Sequence, residues 1–310
     1  MDKLQKYKPT DKMIDLIGDN YSLLQVMSRF GLSLGFGDKT VKEVCEMNNV
    51  DCQTFLVVVN FMAEGFSRMD GSADDISIPA LVDYLRQAHI YFLDYCLPAI
   101  RRKLIEAIDC SQDDVSFLIL KFFDGYMREV RKHMEYEEKT VFKYVDTLIH
   151  GNAPKNYQIS TFSKHHDQVG ERLTELKNII IKYCPAKANT NVLNAALFDI
   201  YACEEGLESH CKVEDYLFVP AILKLERRIL ILSLLGFAIL FAATMNYVLI
   251  FVSSLSQRAK GIGIHKCNGA SDKAIFSMFI YETALIIGVS LVLMIIFLFL
   301  WHAEKVRKQK

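Results

Sequence analysis

The sequence predicts an all-α protein: a small N-terminal helical domain, a four-helix bundle, and a C-terminal transmembrane helical hairpin. Three observations carry that prediction. Few stretches alternate apolar and polar residues with period two, whereas apolar residues three and four apart recur through the N-terminal two thirds. Four long segments of this kind are separated by breaks rich in Gly, Asn and Pro. Beyond Arg227 the chain changes to two apolar runs of roughly 25 residues each, long enough to span a bilayer. The expected domains are 1–70, 76–224 and 225–310.

The N-terminal domain reads as short helices. Tyr21 to Phe30 has helical apolar spacing, broken by Gly31, Gly35 and Gly37. Thr40-Val41-Lys42-Glu43 is a capping-box pattern opening a helix through Met47. Asn48-Asn49 makes a turn, and Asp51 is placed to cap a helix from Thr54 to Ser67. That last helix is apolar at Phe55 to Val59 and has almost no basic residues. With 36 Lys and Arg against 37 Asp and Glu, the chain has a formal charge of −1. Nucleic acid is therefore not an expected partner.

Asp70 to Asp75 is a linker by composition. Pro79 then opens the first bundle helix at its first position, running through Leu81, Leu85, His89, Phe92 and Leu93. Pro98 is expected to kink it or to sit in a turn. The second helix runs from about Asp113 to His150 and stops at Gly151-Asn152-Ala153-Pro154. Tyr157 to Tyr183 is the third, stopped by Pro185, and Asn191 to about Leu217 the fourth. The expected spans are 229–253 and 275–301, joined by a polar, basic loop from Gln257 to Lys273. The eight cysteines form no C-x-x-C pair, and Met1 to Lys12 is polar and charged. Reduced thiols in a cytosolic domain without a secretory leader are expected.

Two copies of one pattern lie in the bundle: His133-Met134-Glu135-Tyr136-Glu137 and His210-Cys211-Lys212-Val213-Glu214. On a helix, a His and a Glu four residues apart share one face. His89 precedes His133 by 44 residues, and His166 precedes His210 by the same number. Each helical hairpin thus supplies one lone His and one His-x-x-x-Glu. Singly, a helical His is ordinarily a surface or satisfied core residue, and a single His-x-x-x-Glu is often an exposed contact. The repeat at matching offsets is harder to assign to the surface. Apolar neighbours flank both copies, Tyr136, Val141 and Phe142 beside the first and Val213, Tyr216 and Leu217 beside the second.

The set His89, His133, Glu137, His166, His210 and Glu214 suits two metal ions in a bundle core. One metal would take His89 and His133 and the other His166 and His210, with Glu137 and Glu214 bridging. Each ion would keep room for an exogenous ligand. Iron, manganese and zinc all accept imidazole and carboxylate. Zinc is the less expected, because structural zinc sites are closed and often use Cys. Glu138, His165, Glu208 and Asp215 are the neighbours competing for inclusion, and only one of His165 and His166 can face inward.

The stretch from His89 through His133 to Glu137, Lys164-His165-His166-Asp167 and His210 to Glu214 resembles a hemerythrin-like domain. It is most similar to the repair-of-iron-centres family, over roughly residues 5 to 222. That resemblance implies a non-haem di-iron centre with oxo and carboxylate bridges, and favours His166 because the family carries His-Asp in its third helix. It also implies a small N-terminal helical domain and a role in restoring iron–sulfur clusters damaged by nitrosative or oxidative stress. Iron–sulfur proteins or their apo forms would be partners, with nitric oxide or dioxygen as small ligands. The family commonly has adjacent cysteines in the glycine-rich turn of its N-terminal domain. Phe30 to Phe36 has none, and Cys45 and Cys52 are not adjacent.

The segment Gln257 to Ser271, with Arg258, Lys260, Gly261-Ile262-Gly263-Ile264, Lys266 and Gly269-Ala270-Ser271, resembles FtsX/MacB-type ABC transporter permeases. Gly261 stands where that family usually has Glu. The resemblance implies a membrane location and an ABC ATPase as a partner, with the loop in the cytoplasm. Flanking charge points the other way. Lys224, Arg227 and Arg228 precede the first span and Lys305, Arg307, Lys308 and Lys310 follow the second, against Arg258, Lys260, Lys266 and Lys273 in the loop. A cytoplasmic bundle on the inner membrane is the expectation. Alternative functions are a dioxygen or nitric oxide sensor and a regulatory fusion to an ABC permease.

Overall fold

The computed structural model describes residues 6–64, 76–108, 114–151, 159, 162, 167–184 and 188–308. Among these the regular elements are helices, and an isolated bridge between Lys12 and Thr40 provides the β-type pairing. The chain divides into two units, Met1–Leu230 and Ile231–Lys310.

In the first unit, four short helices come first: α1 (Met13–Asp19), α2 (Leu23–Arg29), α3 (Val41–Met47) and α4 (Cys52–Glu64). Gly31, Gly35 and Gly37 have φ of 71°, 89° and 63°, a left-handed backbone that side-chain-bearing residues resist, so they turn the chain between α2 and α3. The capping box closes in both directions. Thr40 N donates to Glu43 Oε2 at 2.8 Å, and Glu43 N donates to Thr40 Oγ1 at 3.3 Å. Asn49 adopts φ 55° in the turn, and Asp51 Oδ1 accepts from Thr54 N at 2.7 Å. Phe55 to Val59 are all buried, which makes α4 a core helix.

The first bundle helix is α5 (Ile78–Ile90), a π-helical turn (Tyr91–Cys96) and α6 (Leu97–Ala107). Ser77 caps it, and Pro79 sits in the first turn. The sequence predicts a kink or turn at Pro98; the structure places Pro98 in the first turn of α6, straight after the π turn. Proline has no N–H to return to the carbonyl four residues back, and the wider turn absorbs that missing bond. The second is α7 (Asp114–Tyr136), a π turn (Glu137–Val141) and α8 (Phe142–Ile149), ended by Gly151 at φ 80°. The third is α9 (Asp167–Tyr183). The fourth is α10 (Thr190–Val213), capped by Asn189 and followed by a π turn (Glu214–Phe218), after which α11 (Val219–Cys267) begins. The linker expected at Asp70 to Asp75 lies outside the described residues.

Two apolar clusters fill this unit. One, with Phe92, Ile100, Phe123, Tyr126, Leu176 and Ile200, occupies one end of the bundle. The other runs from the N-terminal helices (Leu23, Val44, Phe55) into the opposite end (Leu85, Phe142, Phe218). Each large side chain so buried contributes about 1.5–3 kcal/mol. His89, Glu137, His210 and Glu214 are buried too, on helices that contribute apolar residues to both clusters. Buried polar groups in that position need partners or a ligand.

In the second unit, α11 continues to Cys267, and Asn268 to Ser271 turns the chain with Gly269 at φ 86° into α12 (Asp272–Lys308). Both helices are long and apolar enough to cross a membrane. The polar loop expected from Gln257 is helical as far as Cys267, since Ala259, Lys260 and Lys266 favour helix and the first strong C-terminal signal is Asn268-Gly269. Within this unit the Arg258 guanidinium pairs with the Glu282 carboxylate, and the Tyr247 and Thr283 hydroxyls lie 3.2 Å apart.

Candidate metal centre

His89 lies in the last turn of α5, one helical step before the first π turn. Glu137 and Glu214 each open a π turn, and their histidine partners His133 and His210 lie in the α-helical turn just before. Among the described residues, the first, second and fourth bundle helices therefore widen at or just after a candidate ligand, as π turns commonly do at functional sites.

One donor atom from each of His89, Glu137, His210 and Glu214 lies within 4.8 Å of all the others, and all four residues are buried. His89 Nε2 is 2.8 Å from Glu137 Oε2, and His133 Nε2 is 2.8 Å from Glu137 Oε1, so Glu137 spans two imidazoles. His210 Nε2 faces Glu214 Oε1 at 3.4 Å. His133 touches the group through Glu137 and is its most accessible member, at 13% exposure of its side chain. His166, with Lys164 and His165, lies outside the described residues.

Aromatic rings fix the imidazoles. His89 stacks on Phe142 with centroids 5.5 Å apart and meets His210 edge-on at 5.1 Å. Phe92 approaches His210 at 6.1 Å. A second interaction layer surrounds His89. Its Nδ1 is 3.0 Å from Glu138 Oε1, and Arg86 Nε donates to Glu138 Oε2 at 3.2 Å. An imidazole held by a carboxylate on one nitrogen is oriented to present the other to a metal. Sequence reasoning placed Glu138 only among the competitors for inclusion, and no spacing signal marks it as a partner of His89.

The electrostatics of the group are those of a cation site. Burial works against ionised Glu137, yet hydrogen bonds from His133 and His89 outweigh it and hold its carboxyl below the usual range. Burial pushes Glu214 well above that range, and the Glu137 charge pushes it further. Burial drives His210 well below its ordinary value, reinforced by the positive charge of His89. His89 is raised: burial opposes its charge, but hydrogen bonds to Glu137 and Glu138 prevail. Neither ring nitrogen of His210 makes a hydrogen bond, though both are buried. Two buried carboxylates and two buried imidazoles fit a metal of borderline character, and a cation among them would favour ionised Glu214. The residues present fit the group.

Residues 80–222 match the family model of the hemerythrin HHE cation binding domain. Residues 233–303 match the model of the FtsX-like permease C-terminal domain. No curated protein matches the chain. Neither match reaches the narrower repair-of-iron-centres family. The first match encloses all four clustered residues and supports a metal-binding protein of di-iron type. The second, with the two long apolar helices, supports membrane association.

Proposed function

We propose that this chain is a membrane-tethered di-iron protein that restores iron–sulfur clusters damaged by nitric oxide or oxidants. The observation that carries the reading is the buried group of His89, Glu137, His210 and Glu214 inside the hemerythrin-type match. His89, His133, Glu137, His210 and Glu214 would hold iron, with His166 completing the set from the third helix. Bound iron would supply a redox-active centre for nitric oxide or dioxygen. The chain's own residues do the rest. Glu138 and Arg86 orient His89, Phe142 and Phe92 keep the imidazoles from turning, and apolar clusters keep bulk water from the carboxylates. The less buried His133 edge is the route by which a small ligand reaches the centre.

The test begins with the full chain in detergent, reconstituted with ferrous iron under air. About two irons per chain and a near-ultraviolet charge-transfer band are expected. Incubating that protein with a nitric-oxide-damaged cluster enzyme should restore activity faster than the same iron in free solution. Iron uptake with reversible nitric oxide or dioxygen binding, but no repair, would select the sensor reading. An iron-free product would refute both.

The tether is proposed to hold the bundle in the cytoplasm, because basic residues flank the outer ends of both spans. The six described cysteines of the first unit, Cys45, Cys52, Cys96, Cys184, Cys203 and Cys211, are free, which suits a reducing compartment. Cys267 is exposed at the hairpin turn. In intact cells a membrane-impermeant maleimide should label Cys267 from outside. Labelling only after lysis would reverse the orientation and favour a second reading, drawn from the permease match, in which the hairpin docks an ABC ATPase. That reading requires the ATPase to co-purify and to be lost in Lys266→Ala.

A further inference from the structure

Outside the metal centre, one buried charge in the bundle unit has no ionic partner among the described residues. Arg29, at the end of α2, is 4% exposed. Its Nη1 donates to Tyr84 Oη at 3.2 Å, but Nε and Nη2 make no hydrogen bond. Three aromatic rings surround the guanidinium, Phe92 at 5.2 Å, Tyr84 at 5.7 Å and Tyr91 at 6.0 Å. Rings stabilise a cation but accept none of the directed bonds that a guanidinium offers. A buried arginine ordinarily has a carboxylate or phosphate to receive them, because the uncompensated charge is costly.

Arg29 also lines a pocket of about 350 Å³ that opens to the surface between α2 and α5. Leu24 and Ile90 give it apolar walls, and Gln25, Ser28 and Gln87 give it a polar rim. That volume is at the lower end of small-molecule sites, whose pattern is an apolar lining with a few polar anchors. We propose that this pocket binds a small organic monocarboxylate. Its carboxylate pairs with the Arg29 guanidinium after a side-chain shift at the rim, and its short apolar body lies against Leu24 and Ile90. The planar fork of arginine matches the two oxygens of a carboxylate. None of the residues lining the pocket is a candidate metal ligand, so its test runs on metal-free protein.

The experiment is saturation-transfer NMR on the full chain in detergent, with butyrate as probe, 1-butanol as comparator and inorganic phosphate as competitor. Butyrate should receive saturation from the wild type and butanol should not, and equimolar phosphate should leave the butyrate signal in place. Arg29→Gln should weaken butyrate binding at least about tenfold, the loss of a charge-assisted pair. Ile90→Trp fills the mouth from a half-exposed position while leaving the charge in place, and should abolish binding with the fold intact. It keeps the proposal open to refutation even where Arg29→Gln fails to fold. Equal transfer to butyrate in the wild type and Ile90→Trp would overturn the proposal. So would transfer to butanol alone, or loss of the butyrate signal on adding equimolar phosphate.

Discussion

Glu138 provides the sharpest test of how the centre is held. Its two oxygens reach His89 Nδ1 at 3.0 Å and Arg86 Nε at 3.2 Å, and the His89 hydrogen bond is the main cause holding its carboxyl below the usual range. Glu138→Gln keeps the size and one oxygen but removes the charge that fixes which imidazole nitrogen carries the proton. Partners of this kind typically affect metal affinity by about 10–100-fold, or roughly 1.4–2.7 kcal/mol. Glu137→Ala and Glu214→Ala remove proposed ligands and should lose metal altogether. The assay is competition for cobalt or ferrous iron against a coloured chelator, with metal content measured on the recovered protein. The expected order is wild type, then Glu138→Gln weaker by one to two decades, then the two alanine variants without stoichiometric metal. Wild-type affinity in Glu138→Gln would mean that Glu138 does not set the His89 tautomer. Equal loss in Glu137→Ala, Glu138→Ala and Glu214→Ala would mean that the helical register assigned to the ligands is wrong.

Three further outcomes are expected. In metal-free protein, the raised Glu214 carboxyl stays protonated when folded and ionises when unfolded, so it increasingly opposes folding as pH rises above the ordinary carboxylate range. Glu214→Gln should therefore melt at or above the wild-type temperature at pH 8, yet lose the rise in Tm that metal gives the wild type. Arg101 holds Asp124 below its ordinary value of 3.8 through a bond of 2.6 Å, so that pair stabilises above this pH and loses its effect as pH falls through the folded value. Both side chains are about a third or more exposed, so Arg101→Ala should cost under about 1 kcal/mol in urea melts at pH 7 and nothing once Asp124 is protonated. Thr40→Ala removes one half of the capping box and should cost about 1 kcal/mol by the same measurement, with Thr40→Ser recovering most of it.

The helices were legible because each carries its own local signals. Thr40 with Glu43, Asp51, Pro79 and Gly151 announce ends through backbone chemistry that acts over three or four residues. The repeated His-x-x-x-Glu was legible for the same reason, since the register between His133 and Glu137 is a property of one helix. What the sequence does not show is the widening of the helix at Glu137 and Glu214. A π turn is a tertiary compromise, and nothing in Glu137-Glu138-Lys139-Thr140-Val141 distinguishes it from ordinary helix. Its consequence is chemical. A wider turn rotates successive residues less, so Glu137 and Glu138 both reach His89, one at each ring nitrogen. An ideal helix splays two adjacent side chains by about 100°, somewhat more than the π turn, and on that geometry Glu138 belongs to the solvent face. Arg29 was illegible for a different reason. Its meaning depends on Tyr84, Tyr91 and Phe92, more than fifty residues away, and on the N-terminal helices packing against the bundle, which short-range pattern does not encode. The doubled carboxylate on His89 and the buried charge at Arg29 thus both arise where local helix rules give way to packing between helices.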